Sequence, residues 1–473
     1  MKDRRSVVVL GGGIGGLAAA YFIGRTGMFD VTVLEQAPHV GGLCASFRHD
    51  GFTLDHGAHK MYSVIPGVLD ELLALMRDRL ITVPKKNRIF LRGGLLDYPV
   101  RLSNLARVLG PVALAKMALG YGVAVAKRPF EHEPERSYED YIVRRFGRQI
   151  YDVVFRPLAE KVWGEPSTLH PDMARTRLPA SSAFDVLLRA LHLKPELAET
   201  NAEFFYYPRA GFGDFPETLR RRIEERGDRV LTGAAVTGVE LSGPKLSAVL
   251  ATVGGTATRF ESDVVVSSLP LPLVGRLILG DRDPDFTAAV TGLQFRHLLL
   301  VYVEARRPLA LQDQWIFVPE ERYVFSRVFE QKQMNPELGP ADRTVLCCDF
   351  TSREDGWPWR ASDEELGAKC VDGLVDAGFI ARDEVVGTFV KRQRNFYPRY
   401  DLAYARKMQT VSDRLRATPN LLTTGRIGMY NYNNSDHCTD MGRFLADGLA
   451  RGERPPDIWA ALEQRVKTYR IVD

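Results

Sequence analysis

The chain has 473 residues, of which 45% are hydrophobic and 26% charged, and its formal net charge is +4. This composition is that of a globular protein large enough for about two or three domains, and the near-neutral charge argues against nucleic-acid binding. The five cysteines lack the spacing of a metal site, so we predict reduced thiols and no metal. The charged N-terminus leads directly into a strand, so we expect no signal peptide and a cytoplasmic protein.

The first predicted elements are a strand at residues 6–10, a glycine-rich turn at residues 11–16 and a helix that begins at Leu17. A second strand follows at residues 31–34 and ends at Glu35. This order is typical of a dinucleotide site, because the helix N-terminus presents free N–H groups to the phosphates.

The small and acidic residues of this unit have separate predicted roles. Gly11 permits a sharp turn, Gly13 lets the backbone approach a pyrophosphate, and Gly16 lets the helix pack closely on the sheet. Glu35 lies about 20 residues beyond the last glycine, where a carboxylate binds ribose hydroxyls. A second glycine turn follows the acid. The predicted cofactor-binding residues here are Gly11, Gly13, Gly15, Gly16, Glu35, Gly41, Gly42 and Leu43.

Residues 68–202 have mostly helical apolar spacing, and a loop with two histidines, ending at His59, precedes them. Residues 108–126 are rich in Ala, Leu, Val and Gly, but Lys116 interrupts them. No apolar run reaches the about 18 residues that a membrane-spanning helix needs. We therefore predict a buried or partly exposed helix and no transmembrane span, with a weak membrane-surface contact as the alternative.

The second half of the chain alternates in strand fashion before it closes with a helix. An aromatic cluster at residues 204–209 fits either core packing or contact with a planar ligand. The predicted strands lie at residues 229–241, 249–266, 297–304, 315–318, 343–350 and 421–426, and the closing helix at residues 441–450.

The extended fingerprint, with an acid between two glycine turns, resembles that of the FAD-dependent amine oxidase and protoporphyrinogen oxidase superfamily. This favours FAD over NAD as the cofactor. Further short segments are similar to those of the UDP-galactopyranose mutases within that superfamily. These segments are the glycine-alanine-histidine of residues 57–59 and residues 158–166, 315–320, 325–327, 425–432 and 434–437.

The resemblance implies an α/β fold. We expect a Rossmann-type FAD-binding domain of the glutathione-reductase kind, with an inserted mixed α+β substrate domain. The predicted FAD-binding domain is discontinuous and takes residues 1–60, 210–275 and 395–473. The predicted substrate domain takes residues 61–209 and 276–394, as a helical part and a sheet.

The resemblance also implies a reaction. In such a mutase the N5 atom of reduced FAD attacks the anomeric carbon of a nucleotide sugar, so that pyranose and furanose forms interconvert without net redox change. NADPH or NADH is a candidate reductant for the flavin. Two alternatives stay open: hydride transfer on a nucleotide-linked sugar, and chemistry of the amine oxidase or protoporphyrinogen oxidase type. The oligomeric state is left open.

Site roles follow from the same resemblance. His59 would support the flavin face, and Arg327 would bind the departing diphosphate, which suits the bidentate fork of arginine. These two are the predicted catalytic residues. The predicted substrate-binding residues are Arg177, Trp315, Phe317, Arg327, Tyr397, Tyr430, Tyr432 and Asn434. Further predicted cofactor-binding residues are His59, Val236, Gly425, Arg426 and Asp436.

Two positions depart from the mutase pattern. Phe317 stands where the family has a strand tyrosine, so one diphosphate contact is lost. The segment that begins at Tyr397 lacks the second proline of the family's tyrosine-proline-x-proline. Both departures leave the identity of the sugar, and the redox outcome, open.

Overall fold

The computed structural model describes residues 4–97, 102–175, 203–280 and 283–471. Its centre is a five-stranded parallel sheet, which confirms the predicted Rossmann-type fold. The strands, in spatial order, are Leu421–Thr423, Val264–Ser267, Arg5–Leu10, Phe29–Glu35 and Arg229–Thr232. Their valines and leucines are mostly buried, as expected for a parallel sheet covered on both faces.

This sheet gathers strands from three separated pieces of the chain. Two strands come from the N-terminus, two from the middle and one from near the C-terminus. The helix Ile14–Arg25 packs against Ser435–Ala450, so the two ends of the chain meet directly. A Cβ atom at Gly442 would lie 2.6 Å from the backbone carbon of Ala18, so only glycine permits this approach. The domain boundaries stay a prediction.

A seven-stranded, mostly antiparallel sheet forms the second layer of structure. The hydrogen-bonded pair Trp315–Phe317 and Asn87–Leu91 is its parallel exception. The helix Asp363–Asp376 covers one face and buries a separate apolar core there. The strands, in spatial order, are Val385–Pro398, Phe295–Ala305, Thr344–Ser352, Arg327–Glu330, Trp315–Phe317, Asn87–Leu91 and Gly94–Asp97.

Smaller elements complete the described chain. The antiparallel sheet Ala234–Ser242, Lys245–Val253 and Thr256–Glu261 adjoins the parallel sheet, and two hairpins pair Ser46–His49 with Phe52–Asp55 and Leu80–Pro84 with Phe204–Pro208. The remaining helices are Val68–Met76, Leu102–Leu109, Pro111–Lys127, Tyr138–Phe146, Arg148–Ile150, Arg156–Val162, Asp172–Arg175, Asp214–Glu224, Leu271–Leu279, Pro284–Gly292, Trp357–Arg360, Tyr404–Arg416, Gly425–Gly428 and Pro455–Val466, with a π-helical turn at Tyr151–Phe155.

Several local predictions differ from the observed elements. The region predicted as mostly helical also contains three strands between residues 80 and 97. Leu80–Pro84 and Asn87–Leu91 pair with distant strands that local spacing does not reveal, and Gly94–Asp97 forms a hairpin with Asn87–Leu91. The predicted strand 421–426 ends at Thr423, and Gly425–Gly428 is a helical turn instead. In the aromatic cluster, Phe205 and Tyr207 are buried in the core.

The apolar segment at residues 108–126 is helical, and the helix Pro111–Lys127 is only partly covered by the protein. Among the described residues, no helix combines the length and the apolar character needed to cross a membrane. All five cysteines are described, and each is a free thiol, as expected for reduced cysteines.

Candidate active site

A cavity of about 680 Å³ opens where the carboxyl ends of the parallel strands face the seven-stranded sheet. Residues at or just beyond the carboxyl ends of the parallel strands line one end of it, including Gly11, Glu35, Ser268 and Gly425. Ligands of open α/β sheets bind at this edge, because successive turns diverge there. The opposite end is formed by strands of the seven-stranded sheet.

The predicted glycine turn borders the cavity and begins the helix Ile14–Arg25. No side chain caps this helix, so its first N–H groups face the cavity unblocked. A Cβ atom at Gly16 would lie 1.9 Å from the carbonyl oxygen of Gly11, so the turn requires glycine there. A Cβ atom at Gly13 would meet nothing within 4 Å, which leaves space for a phosphate beside the backbone.

Glu35 ties the two glycine turns to the second strand. Its carboxylate accepts hydrogen bonds from the backbone N–H groups of Gly12, at 2.6 Å, and Ala37, at 2.8 Å. The N–H group of Gly41 donates to the carbonyl oxygen of Gly12, at 2.8 Å, which holds the turns side by side. Gly42 and Leu43 also line the cavity. An uncapped helix start, open space at the turn and a carboxylate together fit the dinucleotide part of FAD.

The remaining predicted cofactor ligands are divided between the cavity and the protein interior. Val236, Gly425 and Arg426 line the cavity, whereas Asp436 does not. The carboxylate of Asp436 accepts a hydrogen bond from the hydroxyl of Ser63, at 2.9 Å, and so anchors the loop that follows the histidines.

Arg426 is held within the cavity wall by its own chain segment. Its Nε donates to the backbone carbonyl of Asn433, at 2.8 Å, and its guanidinium lies over the rings of Phe396 and Tyr397. Cation–π contacts of this kind keep an arginine close to aromatic walls. Its position supports the predicted location near a flavin.

His59 borders the cavity and stacks on Phe212, with ring centroids 4.8 Å apart. Its Nδ1 atom is buried and has no hydrogen-bond partner among the described residues. Burial, followed by the charges of Arg426, His56 and Arg327, lowers the pKa of His59 to about 3. The imidazole is therefore neutral at ordinary pH and offers one ring nitrogen to a ligand.

Arg327 lies at the cavity wall and forms an ion pair with Asp349. The Nε and Nη2 atoms of the arginine donate to one carboxylate oxygen, at 2.8 and 2.5 Å. Asp349 stands directly opposite Arg327 in the neighbouring strand, and it is almost fully buried. Burial raises the pKa of Asp349, and the charge of Arg327 opposes that shift. The pair keeps a cation beside the cavity without leaving a buried charge uncompensated.

Aromatic side chains form the wall next to this ion pair. The ring of Tyr397 stacks on Tyr432, with centroids 4.7 Å apart. The indole N–H of Trp163 donates to the hydroxyl of Tyr432, at 2.6 Å, which fixes that ring in place. Trp315 and Phe317 also line the cavity. A planar or ring-shaped ligand can pack against the cavity side of such aromatic walls.

Other predicted substrate ligands lie in different places. Asn434 lines the cavity, and its backbone N–H donates to Nδ1 of His437 at the start of a helix. Tyr430 does not line the cavity, because its hydroxyl lies against the backbone carbonyls of Gln294, at 2.5 Å, and Arg399, at 2.9 Å. Arg177 lies outside the described residues.

Sequence reasoning missed several cavity residues. Lys60 and Arg394 add cations to the lining, and Asp349 supplies the partner of Arg327. Gln393 also lines the cavity, with its amide nitrogen 3.1 Å from Nδ1 of His56. Lys60 directly follows the singled-out histidine loop, which is a signal that the sequence offered. Arg394 lies on a strand with no distinguishing motif.

A buried polar network lies behind the histidine loop. Asp55 accepts hydrogen bonds from the hydroxyls of Ser46 and Tyr207, both at 2.5 Å, and from the N–H of Phe212. Burial raises the pKa of Asp55 to about 6, although these hydrogen bonds lower it. The carbonyl of Asp55 accepts from Tyr302, at 2.6 Å. The network therefore fixes the strand that delivers His56 and His59 to the cavity.

Known enzymes resemble this chain in sequence. The family model described as flavin containing amine oxidoreductase matches residues 14–420. The zeta-carotene-forming phytoene desaturase of Myxococcus xanthus is 25% identical over 353 residues, which are 69% of this chain and 65% of that enzyme. The protoporphyrinogen oxidase of Homo sapiens is 26% identical over 340 residues, which are 64% and 68% of the two chains. The match thus spans just under two thirds of the desaturase.

Solved structures extend the likeness to nearly the whole chain. A reduced UDP-galactopyranose mutase superposes with a TM-score of 0.83 and 17% identity, covering 99% of this chain and 98% of the other. A putative protoporphyrinogen oxidase from Exiguobacterium sp. 255-15 gives a TM-score of 0.71 and 19% identity, covering 96% and 100%. Identities this low show a shared fold and leave the activity open.

The family match spans most of the chain, and it includes the helix, the acid and the second glycine turn of the dinucleotide cradle. Its description as flavin containing supports FAD as the ligand of that cradle. The predicted membership of the FAD-dependent amine oxidase and protoporphyrinogen oxidase superfamily is confirmed: the chain belongs to the flavin containing amine oxidoreductase family.

Proposed function

We propose that the protein is a FAD-dependent mutase that interconverts the pyranose and furanose forms of a nucleotide sugar. The observation that carries this proposal is the charge of the cavity lining. Among the described lining residues the acids are Glu35, bonded to the glycine turn, and Asp349, paired with Arg327. The cations are Lys60, Arg327, Arg426 and Arg394, the last of which forms an ion pair with Glu354 outside the lining.

An excess of cations suits a doubly charged leaving group. Arginine and lysine stabilise a departing diphosphate through charge-assisted hydrogen bonds, and arginine adds a bidentate geometry. Neither an amine nor a porphyrin ring requires such a diphosphate site. The likeness in fold to the reduced UDP-galactopyranose mutase supports the same class of ligand.

The other lining residues have complementary tasks in this proposal. Tyr397 and Tyr432 provide stacked faces for the base or the sugar, and Leu158 and Val162 exclude water from the same cavity. The neutral His59 can accept a hydrogen bond at Nδ1 without placing a further positive charge beside Arg327 and Arg426. Bound reduced FAD would supply the nucleophile for the anomeric carbon.

The test is whether the protein converts nucleotide sugars when its flavin is reduced and when its flavin is oxidised. The purified protein, with FAD bound, is reduced anaerobically with dithionite and mixed with UDP-galactose and other nucleotide sugars, and products are separated by chromatography and weighed by mass spectrometry. We expect an isomer of unchanged mass that forms only with reduced flavin. Absence of any isomer in either redox state would contradict the proposal.

Hydride transfer is the second candidate function. It is favoured by the sequence relatives, which are a phytoene desaturase and protoporphyrinogen oxidases, and by apolar residues such as Leu298 and Phe317 in the lining. A product lighter by two hydrogens, formed only with oxidised flavin, would identify this chemistry. If the substrate were still a nucleotide sugar, the cationic lining would keep its proposed role.

A further inference from the structure

The helix Pro111–Lys127 leaves one of its sides uncovered. Its inner side packs Met117 against a small apolar cluster that includes Leu91, Leu96 and Leu109. The outer side also carries the apolar residues Val112, which is 68% exposed, and Leu119, which is 71% exposed. Phe130, in the 3-10 turn Arg128–Phe130 that follows, is 80% exposed, and these three exposed fractions are the largest of any large hydrophobic residue described. We call Val112, Leu119, Val123 and Phe130 the exposed apolar face.

The outer residues follow the spacing of one helical stripe. Val112, Lys116, Leu119 and Val123 are separated by four, three and four positions, which places them one above another. A helix that is apolar on all sides is ordinarily buried on all sides. This one is buried on one side only, and contiguous exposed apolar patches mark contact surfaces.

The stretch of sequence that carries this face is basic up to Glu131, which directly follows Phe130. Between Asp97 and Glu131 the sequence contains five basic residues, which are Arg101, Arg107, Lys116, Lys127 and Arg128, and no acidic residue. The carboxylates that follow are partly neutralised within the protein. Glu133 pairs with Arg136, and Glu135 pairs with Arg145 and Arg175.

We propose that the exposed apolar face docks on an anionic lipid bilayer, with the helix Pro111–Lys127 lying in the plane of the interface. Its apolar side chains would enter the boundary of the acyl region, and Lys116 and Lys127 would extend toward lipid phosphates. An apolar surface whose own helix carries Lys116 and Lys127 and no acidic residue complements an anionic membrane. The described helices are too short or too polar to span it, so the contact is peripheral.

The experiment is sedimentation of the full-length, FAD-loaded protein with lipid vesicles. One set of vesicles contains phosphatidylcholine alone, and the other also contains phosphatidylglycerol. We expect the protein to bind the anionic vesicles and to be released as the salt concentration rises. The double variant Leu119→Ser/Phe130→Ser should bind at least about tenfold more weakly, because most of the inserted apolar area is lost.

Two further variants make the test specific. Met28→Ser/Leu402→Ser removes two exposed apolar side chains, 49% and 52% exposed, from other surfaces, and it should bind vesicles as the wild type does. Lys116→Gln/Lys127→Gln keeps the apolar face and should lose the preference for anionic lipid. Bound FAD and an unchanged unfolding temperature would show that each variant is folded.

Two results would overturn the proposal. One is equal sedimentation of the wild type and the Leu119→Ser/Phe130→Ser variant with anionic vesicles. The other is absence of vesicle binding together with a dimer that the same variant dissociates, since a second copy of the chain would then be the occupant of this face.

Discussion

Arg327 and Asp349 show how a cation is kept available inside a largely enclosed site. The arginine faces the cavity, while its partner lies behind it in the neighbouring strand and is almost fully buried. Burial raises the pKa of Asp349, and Arg327 opposes that shift. Removing the arginine alone would therefore leave a buried carboxyl group without its counter-charge. Such a variant would lose stability as well as ligand affinity, and a single substitution does not separate the two effects.

We expect Arg327→Ala to weaken binding of UDP by about tenfold to a hundredfold, which corresponds to the loss of one charge-assisted contact. Calorimetric titration of the FAD-loaded protein measures this affinity. The double variant Arg327→Ala/Asp349→Asn is the matched control, because it removes the cation without leaving a buried charge. Affinity for UDP that is unchanged in both variants would remove Arg327 from the ligand site.

His59 should make stability depend on pH. Its folded pKa of about 3 lies below the usual value of 6.5, so in acid the unfolded chain takes up a proton that the folded one does not. The free energy of unfolding is therefore unaffected by His59 above the usual pKa and falls as the pH drops from about 6.5, by at most about 1.4 kcal/mol for each pH unit.

The variant His59→Gln should lose this part of the pH dependence. Urea denaturation of the wild type and the variant, at several pH values between about 7 and about 5, gives the free energy of unfolding of each. The contributions of His56 and Asp55 cancel when the free energies of the two proteins are subtracted. Parallel curves for the two proteins would show that the folded imidazole titrates normally.

The sequence indicated which residues line the cavity where local sequence sets their position, and it did not where contacts between distant segments set it. Gly13 and Glu35, predicted as cofactor-binding residues, both line the cavity, because strand, turn and helix are set by local sequence. Tyr430 and Tyr432 are two positions apart, yet only Tyr432 lines the cavity. A short motif does not specify which side chain of a loop turns inward. Asp349 was missed because its contact with Arg327 depends on strand pairing.

At the scale of secondary-structure elements, the glycine turn serves both packing and binding. Gly16 brings the helix against the carbonyl of Gly11, and Gly15 lies against the turn at Gly425, where an added Cβ would be 2.7 Å from a backbone Cα. Gly13 has open space instead. Neighbouring glycines of one motif therefore have distinct physical reasons to be glycine.

This distinction predicts different outcomes for two alanine variants. Gly16→Ala should unfold at a lower temperature and contain little FAD, because backbone must move to admit the methyl group. Gly13→Ala should keep its unfolding temperature without FAD and bind FAD more weakly, because the methyl group occupies space left for the pyrophosphate. Flavin absorbance per protein and thermal unfolding with and without FAD measure both. Identical behaviour of the variants would contradict the assignment.

At the scale of the whole molecule, the cradle joins distant parts of the chain. Its parallel sheet takes strands from residues 5–35, 229–267 and 421–423. A ligand that binds at the common edge of these strands stabilises all three pieces together, because it binds only the folded form.

Removal of FAD should lower the stability of the entire fold in one cooperative transition. With free FAD at 100 times its dissociation constant, bound cofactor contributes about 2.7 kcal/mol to the free energy of unfolding. Calorimetry of the protein before and after removal of the flavin measures this effect. Unfolding of one part alone after removal would contradict the single transition.

The meeting of the two chain ends also has a consequence for synthesis on the ribosome. The helix Ile14–Arg25 is buried over nearly its whole length, partly by Ser435–Ala450, which is translated more than 400 residues later. Domains generally fold as units while the chain emerges, the N-terminal parts first. Here the side of the first helix that packs on Ser435–Ala450 must stay uncovered, or be held by a chaperone, until that later helix has left the exit tunnel.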